Sequence, residues 1–233
     1  MIFQVKGDFS DNNGNDIVAP ENLNNVYVDL IGHNNNLVID DHCLISDFNI
    51  RFVGDHSTVR IGHSKDIQRS IHHGTIDVGH NCKVIIGNNV TAPFGVYITV
   101  SESGTITIGD DSTFAAGTLV RGDDSHMIFD VTTGMRVNTS KDVSIGHHVW
   151  VGERAAILSG ASVGDGSVVG FNSVVKRKFP NNVLIVGIPA KVVKKNIAWD
   201  RTHTHFANSD NPYYSNFHLV DNSLKYWQIT QDD

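Results

Sequence analysis

The sequence predicts an all-β protein, a parallel β-helix in which short strands stack in successive coils. The first observation is an apolar residue at every sixth position, at Ile145, Val151, Ile157, Val163, Val169 and Val175. Glycine directly follows four of these anchors, and a small or β-branched residue stands four positions after each anchor up to Val169. A short fixed period indicates a solenoid, because each unit buries its apolar side only against its neighbours.

The pattern divides the chain into three parts. Residues 1–25 are rich in Asn, Asp and Gly and predict a polar cap for the N-terminal end of the solenoid. Residues 26–180 predict the β-helix itself, with a spacing that becomes regular only from Ile86 onward. Residues 181–233 lose the repeat and predict a short helix over 190–199, followed by an aromatic tail.

Composition narrows the functional classes. The 233-residue chain carries a net charge of −7, so it has no basic footprint for nucleic acid. It contains no apolar run of about eighteen residues for a membrane span, and its N-terminus lacks the apolar core of a secretory signal. Cys43 and Cys82 are far apart and predict neither a disulfide framework nor a zinc site. We therefore expect a cytoplasmic protein without a nucleic-acid or membrane partner.

The repeat is interrupted once, by a polar loop over residues 121–144. Its ionisable groups include Asp123, Asp124, His126 and Asp130. A neutral imidazole accepts a proton at neutral pH, and acyl transfer from a thioester to a hydroxyl requires such a base. His126 is therefore a candidate general base, although a solvated loop histidine would look the same. One of the aspartates or a backbone carbonyl could orient the ring, or the aspartates could cap the loop.

Two further features are candidates for ligand binding. Trp150 closes the first hexad after the loop and should face outward, where it either covers apolar surface or flanks a groove. A basic cluster stands out in this acidic chain, at Lys176, Arg177, Lys178, Lys191, Lys194 and Lys195. It is either a solvated face or an anchor for phosphate groups. Four of the thirteen histidines, His33, His63, His80 and His147, follow turn glycines and predict solvated corners, and we expect no metal site.

The run IGHHVW-VGERAA-ILSGAS-VGDGSV-VGFNSV, followed by VKRKFPNNVLIVGIPAKVVKK, resembles the hexapeptide-repeat acyltransferases with a left-handed β-helix. The resemblance covers roughly residues 86–195. GDDSH at 122–126, followed by Trp150, is most similar to the branch of capsular polysaccharide and polysialic acid O-acetyltransferases. The resemblance implies a homotrimer, with acetyl-coenzyme A between neighbouring subunits and a catalytic histidine in the extended loop.

Residue by residue, the resemblance makes His126 the general base and Trp150 a second catalytic residue beside the thioester. It also implies coenzyme contacts at Trp150, Glu153, Phe171, Lys176, Arg177, Lys191 and Lys194. Met127 follows His126 where sugar acetyltransferases of the maltose type have proline, which disfavours a free mono- or disaccharide acceptor.

The function implied is an acetyl-coenzyme A-dependent O-acetyltransferase that acts directly, without an acyl-enzyme, on a capsular or cell-surface glycan such as one containing sialic acid. One alternative is an N-acetyltransferase for an amino sugar nucleotide, or an acetyltransferase for a small molecule or antibiotic. A third possibility is a β-helix that binds a partner or a metal without catalysis. The sequence does not choose the acceptor, because loops and a neighbouring chain would supply its contacts.

Overall fold

The predicted solenoid is confirmed. The computed structural model describes residues 1–67, 69–201 and 226–231, and over these residues the chain forms 22 strands and no helix. Successive strands from Asp16–Val18 to Thr105–Ile108 alternate between two sheets. From Thr113–Phe114 to Val183–Gly187 they rotate among three sheets, and almost all lateral pairs are parallel. The chain is therefore a left-handed parallel β-helix with one sheet on each of its three faces.

The three faces are named here sheet A, sheet B and sheet C. Sheet A contains β1 (Ile2–Gln4), β4 (Asn24–Leu30), β6 (Ile45–Phe52), β8 (Ile71–Val78), β10 (Val96–Val100), β13 (Thr118–Arg121), β16 (Ala156–Leu158) and β19 (Val174–Val175). Sheet B contains β2 (Phe9–Ser10), β3 (Asp16–Val18), β5 (Asn36–Ile39), β7 (Thr58–Ile61), β9 (Lys83–Ile86), β11 (Thr105–Ile108), β14 (Val143–Ile145), β17 (Ser162–Val163) and β20 (Lys178–Phe179). Sheet C contains β12 (Thr113–Phe114), β15 (Trp150–Val151), β18 (Val168–Val169), β21 (Val183–Gly187) and β22 (Ala190–Lys195).

The anchors of the six-residue repeat form three buried columns that are the core. The column of sheet A is Ile98, Val120, Ile157 and Val175. The column of sheet B is Ile108, Ile145, Val163 and Phe179, and that of sheet C is Phe114, Val151, Val169 and Ile185. All of these side chains are buried, so each anchor removes apolar surface from water by packing on the coils above and below.

Glycine follows the anchors because of close approach between coils, whereas the turn itself uses a different position. A Cβ on Gly146 would lie 2.3 Å from Asp165 Oδ1, and one on Gly164 would lie 2.5 Å from the Asn181 nitrogen. The positive φ of the corner falls two residues later, at 53° for His148 and 66° for Gly166. The residue two positions after the glycine therefore turns the corner, and the glycine itself allows the coils to approach closely.

Both ends of the solenoid are closed by antiparallel strands. At the N-terminal end β1 pairs antiparallel with β4, and β2 pairs antiparallel with β3. The parallel stack already begins at β3, inside the segment 1–25 that we expected to be only a cap. At the other end, β21 continues the stack beyond residue 180 by pairing parallel with β18.

The helix expected over 190–199 is wrong. Ala190–Lys195 is instead strand β22, which pairs antiparallel with β21 and completes the edge of sheet C. A strand at this edge can form hydrogen bonds with the backbone N–H and C=O groups on the outer side of β21. A helix could not, because its own backbone groups are bonded within the helix. Its alternation fits this role, since Ala190 is buried and Val192 packs partly buried against the core. None of the described residues lies in a helix suited to crossing a membrane.

Candidate active site

The interrupting loop leaves sheet A after Arg121 and enters sheet B at Val143, so it stands at the corner between these two faces. Its root is fixed by Asp123, which is only 6% exposed. The Asp123 carboxylate accepts hydrogen bonds from the Ser125 N–H (2.9 Å) and from the Thr99 hydroxyl (3.3 Å). Asp123 therefore caps the first turn of the loop.

The middle of the loop is a short hairpin organised around Asn138. The Asn138 side-chain oxygen accepts the N–H of Ile128 (2.7 Å), and its amide nitrogen donates to the carbonyl of His126 (2.8 Å) and to Asp124 (3.2 Å). The Val137 N–H also donates to the Ile128 carbonyl (2.9 Å). One side chain thus holds both branches of the hairpin beside His126.

A salt bridge joins this hairpin to the solenoid. Arg136 donates to both carboxylate oxygens of Glu102, at 2.5 and 2.8 Å, and Glu102 lies on the A–B corner of the preceding coil. The bond from Arg136 lowers the pKa of Glu102 to about 2, with further support from Ser140. The loop is consequently tethered at its root and at its return branch.

His126 lies exposed on the outer part of this loop. Its backbone N–H donates to the Asp124 carbonyl (2.7 Å), and its carbonyl accepts the bond from Asn138. Among the described residues the imidazole itself has no hydrogen-bond partner. The neighbouring aspartates contact the loop instead. Asp123 accepts the Ser125 N–H and Asp124 accepts from Asn138, whereas Asp130 accepts from the Thr132 hydroxyl and from the N–H groups of Thr132 and Thr133. The bond from the Thr132 hydroxyl, followed by these backbone bonds, lowers the pKa of Asp130. Asp123 and Asp130 therefore cap turns of the loop, and Asp124 is bonded to Asn138.

Trp150 lies on sheet C, between Thr113 and Val168 of the neighbouring coils, with 44% of its surface exposed. Glu153 and Phe171 occupy the adjacent C–A corner, where the Asn172 N–H donates to the Glu153 carbonyl (2.9 Å). Phe171 is 61% exposed. Trp150, Glu153 and Phe171 therefore share one side of the molecule, as a groove-lining set requires.

The basic residues predicted to hold phosphates separate into two groups. Lys191 and Lys194 lie exposed on β22, at the edge of the same sheet C as Trp150. Lys176 and Arg177 lie exposed between β19 and β20, at the A–B corner that also carries the His126 loop. A single chain thus presents the loop with Lys176 and Arg177 on one corner, and the remaining predicted residues across a different face.

Sequence reasoning missed the segment that follows β22. Trp199 and Tyr226 stack on His148, with ring centroids 4.2 and 4.9 Å from the imidazole. Arg201 donates to the Asp111 carboxylate (3.1 Å) beneath them. Burial by itself raises the Asp111 pKa, but the bond from His148 and the charge of Arg201 outweigh it, so this pKa lies below its ordinary range. The only signal in the sequence was the concentration of aromatic residues after Ala198.

The histidines at other corners are solvated, as expected: the side chains of His33, His80 and His147 are 59%, 67% and 45% exposed. Within the part of the chain that the structure describes, no group of three or more His, Cys, Asp or Glu residues is arranged to hold a metal ion. The remainder of the aromatic tail predicted after residue 199 lies largely outside the described residues.

Comparison with known proteins gives consistent matches. The bacterial transferase hexapeptide (six repeats) family model matches residues 142–177. A polysialic acid O-acetyltransferase of Neisseria meningitidis is 34% identical over 209 residues, which are 89% of this chain and 94% of that protein. A polysialic acid O-acetyltransferase of Escherichia coli O1:K1 / APEC is 37% identical over 145 residues, 62% of this chain and 47% of that protein.

Solved structures agree with these matches. The polysialic acid O-acetyltransferase OatWY superposes with a TM-score of 0.71 at 32% identity, covering 88% of this chain and 96% of that chain. The polySia-specific acetyltransferase NeuO superposes with a TM-score of 0.67 at 35% identity, covering 88% and 90%. The similarity therefore extends over most of the chain.

Proposed function

Because this chain belongs to the hexapeptide-repeat O-acetyltransferases, in one family with the polysialic acid O-acetyltransferases, we propose that it transfers an acetyl group from acetyl-coenzyme A to a hydroxyl of a sialic acid-containing capsular glycan. The observation that carries this proposal is the 34% identity to such an enzyme over 94% of that enzyme's length. The His126 loop lies within this match and is held in place by Asn138 and Glu102.

In the proposed reaction His126 accepts the proton of the acceptor hydroxyl while the oxygen attacks the thioester carbonyl. The carbon–sulfur bond breaks, and the proton passes from His126 to the departing sulfur. An acyl-enzyme on cysteine is disfavoured because Cys43 and Cys82 are buried in the solenoid. Burial raises the pKa of Cys43 to about 12, so its thiol is not a nucleophile at neutral pH. The transfer is therefore direct.

Acetyl-coenzyme A supplies the activated acetyl group, and the exposed residues of sheet C fit such a donor. Trp150 offers an apolar ring and an N–H group for the thioester end. Glu153 and Phe171 continue this surface at the C–A corner. Lys191 and Lys194, or Lys176 and Arg177 of a neighbouring copy, offer the positive charge that phosphate groups require. Since acetyl-coenzyme A is made in the cytoplasm, we place the reaction there.

We further propose that the active site forms between subunits of a homotrimer. Within one chain, His126 stands at the A–B corner and Trp150 on sheet C, with strand β14 of sheet B between them in the chain. The hairpin also presents apolar side chains that are each more than half exposed: Met127, Ile128, Phe129, Val131, Met135 and Val137. Such a patch is typical of an interface, and a neighbouring copy could bring the loop of one chain against sheet C of the next.

The decisive experiment compares the wild type with His126→Ala, using labelled acetyl-coenzyme A and a polymer of sialic acid. Loss of the general base should reduce kcat by about 10²- to 10⁴-fold, with binding of coenzyme A retained. A neutral capsular glycan and an amino sugar nucleotide serve as comparison acceptors. An alkali-labile product identifies an ester, whereas a stable one indicates the N-acetyltransferase alternative. Retained activity in His126→Ala would refute the assignment of the base.

Mixing two inactive variants tests the shared site. If the loop of one chain serves sheet C of another, hetero-oligomers of His126→Ala and Trp150→Ala contain some sites with both native residues, about a quarter at random mixing. Co-expression should therefore restore activity that neither variant has alone, and light scattering should give the mass of a trimer. No recovery in a mixed trimer would place the complete site within one chain.

A further inference from the structure

Trp199 makes a reciprocal set of bonds with one corner of the solenoid. Its indole N–H donates to the carbonyl of His148 (2.8 Å), while its own carbonyl lies 3.1 Å from His148 Nε2. The two rings stack at 4.2 Å with an angle of 14° between their planes. Three separate contacts therefore define both the position and the orientation of the Trp199 indole.

His148 itself has two further contacts, with Asp111 and with Tyr226. Its Nδ1 lies 2.7 Å from Asp111 Oδ2, and Tyr226 stacks on it at 4.9 Å with a plane angle of 5°. Two rings that both stack on one imidazole lie on its opposite faces, since they cannot occupy the same space. The imidazole is thus fixed between Trp199 and Tyr226, with 13% of its side chain exposed.

The chain beyond Trp199 is anchored two residues later. The Arg201 guanidinium donates to the Thr91 hydroxyl (2.9 Å), to the Asp111 carboxylate (3.1 Å) and to the Asp111 carbonyl (2.6 Å). These groups belong to two successive coils, and the Arg201 side chain is only 20% exposed. The segment 199–201 is therefore bonded to the solenoid at both of its ends.

Trp199 also contacts Trp150, the residue proposed to meet the acetyl donor. The Trp199 ring packs against the ring of Trp150, with centroids 5.9 Å apart and planes tilted by 45°. Trp150 is two residues from His148 on a strand of only two residues, and it is 44% exposed on sheet C. A tilted aromatic pair at this distance is a favourable arrangement, so Trp199 restricts the positions open to Trp150.

We propose that Trp199 is a positioning residue, which holds the Trp150 indole in the orientation that binds the acetyl donor. The proposal rests on the proposed function for the role of Trp150. The segment after β22 would thus contribute to donor binding. Asp111 and His148 fix the Trp199 indole, and Trp199 in turn fixes the Trp150 indole. The ligand is an acyl thioester of coenzyme A, and the pantetheine arm next to the sulfur, which free coenzyme A also carries, would meet the Trp150 ring.

The experiment measures the dissociation constant and the stoichiometry of coenzyme A binding by calorimetry, on the full-length chain. Trp199→Ala should weaken binding by about 3- to 10-fold, in proportion to the loss of an aromatic pair. Trp199→Phe keeps the ring and loses the N–H, so it should recover most of the affinity. A purely structural role would reduce the stoichiometry, as fewer molecules fold, and leave the dissociation constant unchanged; that result would overturn the proposal.

A double-mutant cycle separates action through Trp150 from independent action. Trp150→Ala should weaken coenzyme A binding at least as much as Trp199→Ala, and Trp199→Ala should add nothing in the Trp150→Ala background. Fully additive losses would overturn the proposal. Trp227→Ala is the matched control; it should bind normally, and an equal loss there would indicate general loosening and count against Trp199. Acceptor turnover by the wild type reports on the proposed function separately, because coenzyme A binding needs no acceptor.

Discussion

Replacing Asn138 with alanine should release the hairpin that carries His126. The side chain makes hydrogen bonds with the Ile128 N–H (2.7 Å), the His126 carbonyl (2.8 Å) and Asp124 (3.2 Å). A net contribution of about 0.5–1.5 kcal/mol is typical of each bond; about 0.7 kcal/mol for each, because the loop is exposed, gives about 2 kcal/mol for the three bonds. This corresponds to about a 30-fold change in the equilibrium for local opening of the loop.

Amide hydrogen exchange measures this equilibrium directly. The N–H groups of Ile128 and Val137 are bonded inside the hairpin, so both should exchange about 30-fold faster in Asn138→Ala. kcat should fall by about tenfold, because the proposed base His126 loses its fixed position while its imidazole is unchanged. Asn49→Ala, at an exposed asparagine on β6, is the matched control and should leave both quantities unaltered. Unchanged exchange in Asn138→Ala would refute the view that this side chain organises the loop.

Three further predictions concern stability and pH. Phe114→Ala should cost about 3–5 kcal/mol in chemical denaturation, because Phe114 is 1% exposed in the core column of sheet C. Gly32→Ala should lower the free energy of unfolding by about 3 kcal/mol, because the new Cβ would lie 2.0 Å from the Gly54 carbonyl oxygen. Gly134→Ala is the comparison: its Cβ would lie in open space, and the φ of 71° alone should lower the free energy of unfolding by about 1 kcal/mol. The folded pKa of Glu102 is lowered from 4.5 to about 2, so its tether acts fully above pH 4.5 and is lost as pH falls towards 2. Loop exchange, corrected for intrinsic rates, should therefore rise in that window, and a flat profile would contradict this.

The interpretation of the repeat succeeded because it depends on local composition. Apolar anchors at every sixth position are all buried when each coil carries three of them, one on each face. The anchors of successive coils then stack in the three columns that pass through Val120, Ile145 and Val151. The same reasoning located the loop to within one or two residues at each end, at 122–142 between β13 and β14. The helix over 190–199 failed because local propensity gave no account of the open edge of β21, which β22 covers.

The sequence by itself determined a parallel solenoid, its one interruption and the histidine within that interruption, since these are properties of neighbouring residues and their spacing. Only the tertiary structure decided that His126 and Trp150 stand on different sides of one chain, because the face on which a residue falls depends on the lengths of all the coils before it. It also decided that Trp199 packs on His148 and Trp150, a contact across about fifty residues that no spacing encodes. The broken repeat indicated where a base could stand, and packing between distant segments determined what surrounds Trp150.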